Sequence, residues 1–343
     1  MKKLKAAVMT RTSLVAGLTL AVACMLLALH ACTPSYPKEK LPEAVKSVCK
    51  AEYDMDVDVV LVGETMGMYY PMEGLLDMGL GINKDAWDDM SNLILVASRV
   101  ALSTDADVRF YCVVTQDARL PELQVVIIKY VDDVKKGMYR NISRSESFKR
   151  TLFSINLTPQ AQKERSVEKV FDKMGVDDAT RQKVLDEFFR SPPTKLSDVG
   201  YWKGQFYLKN INMEEFFAAQ MANRIKIEFR GEGKLEEMFD YKSAEGFFVS
   251  SEGSRFFLIK FKIADKGTAP GDAAEMRKKK VQEILDIASD VVYGYKYEDF
   301  DFLMLEDQLE NVRLSVSAQD VYNFNKKKLS VEEIVQAPAG YFQ

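Results

Sequence analysis

Two long stretches of this chain carry the same helical pattern of apolar residues, 191 positions apart. Met90, Leu93, Ile94, Ala97, Val100 and Ala101 form the first, and Val281, Ile284, Leu285, Ala288, Val291 and Val292 form the second. The positions pair one for one, and Ala97-Ser98 matches Ala288-Ser289. Apolar residues every three to four positions make one stripe along an α-helix, and that stripe needs a partner surface. Such periodicity is generic, so the flanks decide whether the two stretches belong to equivalent units.

The flanks correspond. Val108–Val114 and Val125–Ile128 follow the first helix, and Phe300–Leu305 and Val312–Val316 follow the second. All four are rich in β-branched and aromatic residues and read as strand–loop–strand pairs. Each pair runs into a short helix, at Asp133-Val134 and at Asp320-Val321. Before the first long helix, Asp56–Val62 and Met66–Pro71 flank Gly-Glu-Thr as a hairpin. Before the second, Phe247–Ser250 and Arg255–Ile263 flank Ser-Glu-Gly. Phe257, Ile259, Phe261 and Ile263 alternate with their neighbours, as a strand buried on one face requires. A helix precedes each hairpin. Leu41-Pro-Glu-Ala-Val45 opens one. Asn212-Met-Glu-Glu215 opens the other, with Asn212 the expected N-cap and Glu215 closing a capping box.

The reading is therefore an α+β chain of two tandem α-β-β-α-β-β-α units, 41–157 and 212–337, joined by a helical connector at 158–211. This element order resembles that of secretion-chaperone-like folds. The likeness is one of order alone and implies no activity. Arg224-Ile-Lys-Ile-Glu-Phe-Arg230 alternates strictly and predicts one additional strand in the second unit. In the connector, Gln160–Met174 reads as a helix stopped by Gly175. Asp177 caps a second helix with Val184, Leu185, Phe188 and Phe189 on one side, and Ser191-Pro-Pro-Thr194 breaks it. Gly200–Ile211 then reads as a single aromatic strand.

The N-terminus says where the chain goes. Lys2, Lys3, Lys5 and Arg11 precede an apolar run from Leu14 to Leu29, and no acidic residue occurs before Cys32. The run is slightly short of the roughly 20 residues that span a bilayer, and it ends as a secretory signal does. Leu29-His30-Ala31-Cys32 resembles the lipobox of bacterial lipoproteins. The resemblance implies cleavage after residue 31, lipid on Cys32 and a tether at 32–40; cleavage without lipid and an uncleaved anchor are the alternatives. Residues 338–343 are left as a tail. Ala21-Val22-Ala23-Cys24 is a weaker candidate, because it would leave a short apolar core. Thr33, in place of an aspartate, implies the outer membrane, with the protein facing the periplasm.

Several function classes fall away. Loss of residues 1–31 takes the formal charge from −4 to −8 and removes the one histidine, His30. An acidic chain is a poor nucleic-acid binder, because phosphate contacts need clustered Lys and Arg. A chain without histidine lacks imidazole acid–base chemistry, His-ligated zinc and the Ser-His-Asp triad. No catalytic residue, metal or cofactor is expected.

The remaining candidates each have a plain structural reading. Asp54, Asp56 and Asp58 share a strand face, as a calcium site or as a solvated edge. Gly74, Gly79 and Gly81 precede a helix, but Asp85, Asp88 and Asp89 in its first turn repel phosphate. Cys49 and Cys112 sit on apolar faces. Export permits a disulfide between them, and burial as two free thiols is the other reading. Arg277-Lys-Lys-Lys280 and Lys326-Lys-Lys328 are basic runs that suit lipid headgroups or solvent. In Tyr201-Trp-Lys-Gly-Gln-Phe-Tyr207, strand alternation puts Trp202, Phe206 and Leu208 toward the core. That leaves Tyr201 and Tyr207, with Lys203 and Gln205, as the expected partner-binding face.

The function expected from these readings is a non-enzymatic interaction or assembly scaffold of the bacterial envelope. Its partners would be the membrane, through the lipid, and another envelope protein. A carboxylate-dependent enzyme such as a glycan hydrolase is the first alternative, since that chemistry needs only two Asp or Glu residues. A small-ligand carrier is the second, and it needs an apolar cavity between sheet and helices.

Overall fold

The computed structural model describes residues 36–77, 81–231, 233–251, 253–266 and 273–336. The expected signal, Cys32 and the tail at 338–343 lie outside them. The first part of the chain forms α1 (Leu41–Tyr53), β1 (Asp58–Val62), β2 (Thr65–Met72), α2 (Lys84–Ser103), β3 (Phe110–Asp117), β4 (Leu120–Tyr130) and α3 (Val131–Met138). Then follow α4 (Arg144–Lys149), β5 (Leu152–Leu157), α5 (Pro159–Met174), α6 (Asp178–Phe188), β6 (Gly200–Trp202) and β7 (Gln205–Tyr207). The last part forms α7 (Met213–Arg230), α8 (Lys234–Met238), β8 (Phe239–Ser251), β9 (Ser254–Asp265), α9 (Ala273–Gly294), β10 (Phe302–Asp307), β11 (Val312–Ser317), α10 (Ala318–Asn325) and α11 (Val331–Gln336).

The chain is α+β, with two main sheets. The first has the order β1-β2-β3-β4-β5, and the second β8-β9-β10-β11. In each, an antiparallel hairpin lies parallel to a second antiparallel hairpin, β2 beside β3 and β9 beside β10. A long helix makes each parallel crossover, α2 in one and α9 in the other. Ala97 and Ala288 are both buried on these helices. Asp117 and Asp307 each end the third strand of that order, and each accepts a hydrogen bond from the backbone N–H two residues on.

The burial pattern explains the two kinds of strand sequence. Tyr111, Val113, Val125 and Ile127 pack with α1 and α2, whereas Phe110, Cys112, Val114, Val126 and Ile128 face a core shared with α7. Strands buried on both faces read as continuous apolar runs, as Phe110–Val114 and Val125–Ile128 do. β9 is buried deeply on one face only and alternates. Helix α7 lies between the sheets, packed on β8 and β9 and against the first sheet, and it is buried nearly all round.

One expected strand and part of one expected helix face fail here. Arg224–Arg230 is the last part of α7, not a strand. Phe216, Phe217, Met221, Ile225 and Phe229 form one helical series over the 18-residue element, and no breaker separates the alternating segment from it. Asn212 caps α7 as expected, accepting from the Glu215 N–H at 2.8 Å. Val184 of α6 is exposed, whereas Leu185 is buried.

A buried ionic cluster fastens the second half to the first. Arg150 donates to Asp133 at 2.9 Å and to Glu146 at 2.6 Å, and Arg224 of α7 reaches Glu146 at 2.8 Å. The Tyr295 hydroxyl donates to the other Asp133 oxygen, and the Arg150 guanidinium lies 4.6 Å over the Tyr295 ring. Burial pushes the Glu146 carboxyl up. Hydrogen bonds from Arg150 and Arg224 outweigh that and hold it below the usual glutamate range.

Candidate functional site

The first sheet ends at β5 and the second at β8, and these two edge strands flank a cleft over α7. Its volume is about 470 Å³. Val126, Ile128 and Leu152 supply an apolar wall on one side, and Tyr241, Phe247 and Phe248 one on the other. Ala219 and Ala222 leave room along the floor, and the Thr194–Ser197 segment of the connector closes one end. Helix α7 and β8 are in intimate contact here. A Cβ on Gly246 would lie 1.9 Å from the Ala218 carbonyl oxygen. Only glycine lets the strand approach the helix so closely.

The polar groups of the cleft are sparse and placed. Ser154 and Asn156 project from β5, and Asn223 donates to the Thr151 carbonyl at 3.4 Å. Glu245 is paired with Lys195 at 3.4 Å. Glu215 accepts from Lys209 at 2.6 Å through Oε1, and its Oε2 is buried with no hydrogen-bond partner among the described residues. Lys226 is exposed on the same lining. An apolar trough of this size with a few convergent polar groups is a binding geometry.

Tyr201 and Tyr207 do not form the exposed face expected of them. They are only 7% and 6% exposed. The segment is a hairpin, not one strand, because Lys203 and Gly204 both take positive φ, 46° and 78°. Such a two-residue turn folds β7 back on β6. Cross-strand partners share a face, so Tyr201 joins Phe206, and Trp202 joins Gln205 and Tyr207. Tyr201 stacks on Tyr69 with ring centroids 3.5 Å apart and donates its hydroxyl to Asp58. Burial, and then the Asp58 carboxylate, raise the Tyr201 hydroxyl well above its ordinary pKa. Tyr207 meets the Phe189 ring edge-on at 5.0 Å. Lys203 and Gln205 remain exposed at the turn.

Gln124, which the sequence reading did not single out, holds this hairpin to β4. Its side chain donates to the Val199 carbonyl at 3.1 Å and accepts from the Tyr201 N–H at 3.3 Å. A Cβ on Gly200 would lie 2.5 Å from that amide. A glutamine directly before the apolar run Val125–Ile128 was the available signal, because an amide carried into a buried strand must find partners.

Cys49 and Cys112 are free thiols, so no bridge joins them. They belong to different cores. Cys49 faces the α1–α2 layer, and Cys112 points from β3 toward α7. Burial pushes the Cys49 thiol up to about 11 and Cys112 to about 12. Asp54 and Asp56 are both paired with Lys50, at 2.8 and 2.9 Å, and Asp58 with Lys46 at 3.5 Å. The 277–280 run is not a free basic patch. Arg277 and Lys280 both pair with Glu310, Lys278 pairs with Glu332, and Lys280 is 1% exposed against Asp307 at 2.9 Å.

Among the described residues, no group of three or more His, Cys, Asp or Glu is arranged to hold a metal ion, and no helix is long and apolar enough to cross a membrane. The chain matches no protein-family model, no curated protein and no solved structure.

Proposed function

We propose that this chain is a lipoprotein of the bacterial envelope, tethered through Cys32 to the outer membrane and facing the periplasm. In this reading it is a non-enzymatic interaction or assembly scaffold, and an extended segment of another envelope protein enters the cleft between β5 and β8. The observation that carries the reading is the cleft itself, bounded by two sheet edges and floored by alanines. Edge strands offer backbone donors and acceptors, and alternate side chains of an added segment would fill the apolar walls.

The charge arrangement favours binding over hydrolysis. A glycosidase needs one carboxyl kept protonated beside one kept ionised. Glu215 and Glu245 are each taken up in an ion pair with a lysine, Lys209 and Lys195. The small-ligand carrier is the second reading, favoured by a volume that falls within the usual range for small-molecule sites.

Filling the floor tests the proposal. Ala219→Phe should abolish co-purification of the envelope partner while the melting temperature stays near that of the wild type. Undiminished capture by a folded Ala219→Phe protein would remove the cleft from the account. The tether is tested separately by mass spectrometry of the mature N-terminus, where an unacylated Cys32 would refute membrane attachment by lipid.

A further inference from the structure

The outer face of the second sheet is the largest feature that the cleft leaves over, touching it at Glu245 and Phe247 on the β8 edge. Strand register places its side chains in rows across β8, β9, β10 and β11. One row is Val249, Phe256, Phe302 and Ser317, and the next is Phe247, Leu258, Met304 and Ser315. The third is Glu245, Lys260, Glu306 and Arg313. The six apolar residues of the first two rows are all partly exposed, and Phe256 and Phe302 stack with centroids 4.5 Å apart. Helices α7, α9 and α10 contribute to the core on the opposite, inner face. A one-sided antiparallel face is ordinarily polar outward, so a contiguous apolar half calls for a cover.

The first sheet shows what this side of such a sheet does. Its face away from α1 and α2, with Phe110, Val114, Val126 and Ile128, is covered by α7 and residues 199–211. On the second sheet only Lys195 of the connector reaches this face, at its β8 edge, lying 5.2 Å over the Phe247 ring and 3.4 Å from Glu245. We propose that this face pairs with the same face of a second copy of the chain.

The charged row argues for a second copy and fixes how it sits. Consider a two-fold axis parallel to the strands, between β9 and β10. It lays β8 over β11 of the second copy, and β9 over β10. Glu245 then meets Arg313 of the second copy, and Lys260 meets Glu306. Phe256 meets Phe302, and Leu258 meets Met304. Each charge faces its opposite and each large apolar side chain faces an apolar or small one. A two-fold axis across the strands would instead bring the charged row over apolar ones, at a desolvation cost. An isologous interface requires this kind of self-complementarity, and aligned sheets pack about 10 Å apart. The patch is four strands wide and about six residues long. That is small beside the usual interface of roughly 800 Å² per partner, so the pair should be reversible.

Within one copy, Glu306 already accepts from Arg313 at 3.0 Å and lies 3.7 Å from Lys260. The test must therefore separate pairing within a sheet from pairing between copies. Full-length Lys260→Glu and Glu306→Lys proteins, each in detergent micelles, place like charges across the proposed interface and should sediment as monomers. Mixed together, they set a glutamate against a lysine at both contacts and should form a dimer, although each sheet keeps its own altered pair. Mixing Leu258→Cys with Met304→Cys protein under an added thiol oxidant gives a second readout, a disulfide-linked dimer formed at least several-fold faster than with either protein alone. A wild-type protein that stays monomeric up to about 100 μM would overturn the proposal. So would a mixture no more dimeric than its components, in either readout.

Discussion

Gly246→Ala is the sharpest single test of how the cleft is built. The added Cβ would lie 1.9 Å from the Ala218 oxygen, 2.5 Å from its carbonyl carbon and 3.2 Å from its Cα. All three are helix backbone atoms, so no side chain can swing aside to relieve the contact. The strand or the helix must retreat by about 1 Å or more, opening the interface where Phe216, Phe217 and Met221 meet Phe257 and Ile259. Overpacking of this kind costs about 1–3 kcal/mol and sometimes more, and backbone contact places this case at about 3 kcal/mol. For cooperative units of this size that is a fall in melting temperature of roughly 6–12 °C. Gly233→Ala is the control, since a Cβ there meets nothing within 4 Å. Urea and thermal denaturation of both variants beside the wild type supply the measurement. A Gly246→Ala protein within about 0.5 kcal/mol of the wild type would refute the close packing of β8 on α7.

Three further outcomes are expected. Because its folded pKa is depressed, Glu146 contributes stability that is complete above its unfolded pKa and lost as pH falls through the folded value. Glu146→Gln should therefore flatten the acid limb of stability below about pH 4, followed by urea midpoints across pH. Arg150→Met leaves Asp133 buried without its closest cation and should cost about 3–5 kcal/mol, read from the same denaturation curves. Gln124→Ala strands the Val199 carbonyl and the Tyr201 N–H. It should cost about 1–3 kcal/mol and raise amide exchange first in 199–207.

Much of the fold is written in periodicity, and the exceptions have physical causes. The 3.6-residue stripes of Met90–Ala101 and Val281–Val292 mark the crossover helices, because a helix on a sheet must bury one stripe. The continuous runs of β3 and β4 already carried the sign of a sheet covered on both faces. Arg224–Arg230 misled because a seven-residue alternation is also compatible with a helix whose series began at Phe216. Tyr201–Tyr207 misled because Lys203 takes a left-handed conformation that lysine seldom adopts, so the turn was hidden and the faces exchanged. The cleft was not legible. Its lining comes from β4, β5, the connector, α7 and β8, and no local spacing joins Asn156 to Ala222 or Phe247.

The claim that the cleft engages another envelope protein can be measured in intact cells. A photo-crosslinking amino acid placed at Lys226 or Asn156 on the cleft lining, with Val184 on the exposed side of α6 as control, would mark whatever lies in it. The account predicts one discrete adduct with an envelope protein from both cleft positions, lost when Ala219→Phe is added and absent from the control. No adduct from either cleft position, or the same adducts from Val184, would contradict it.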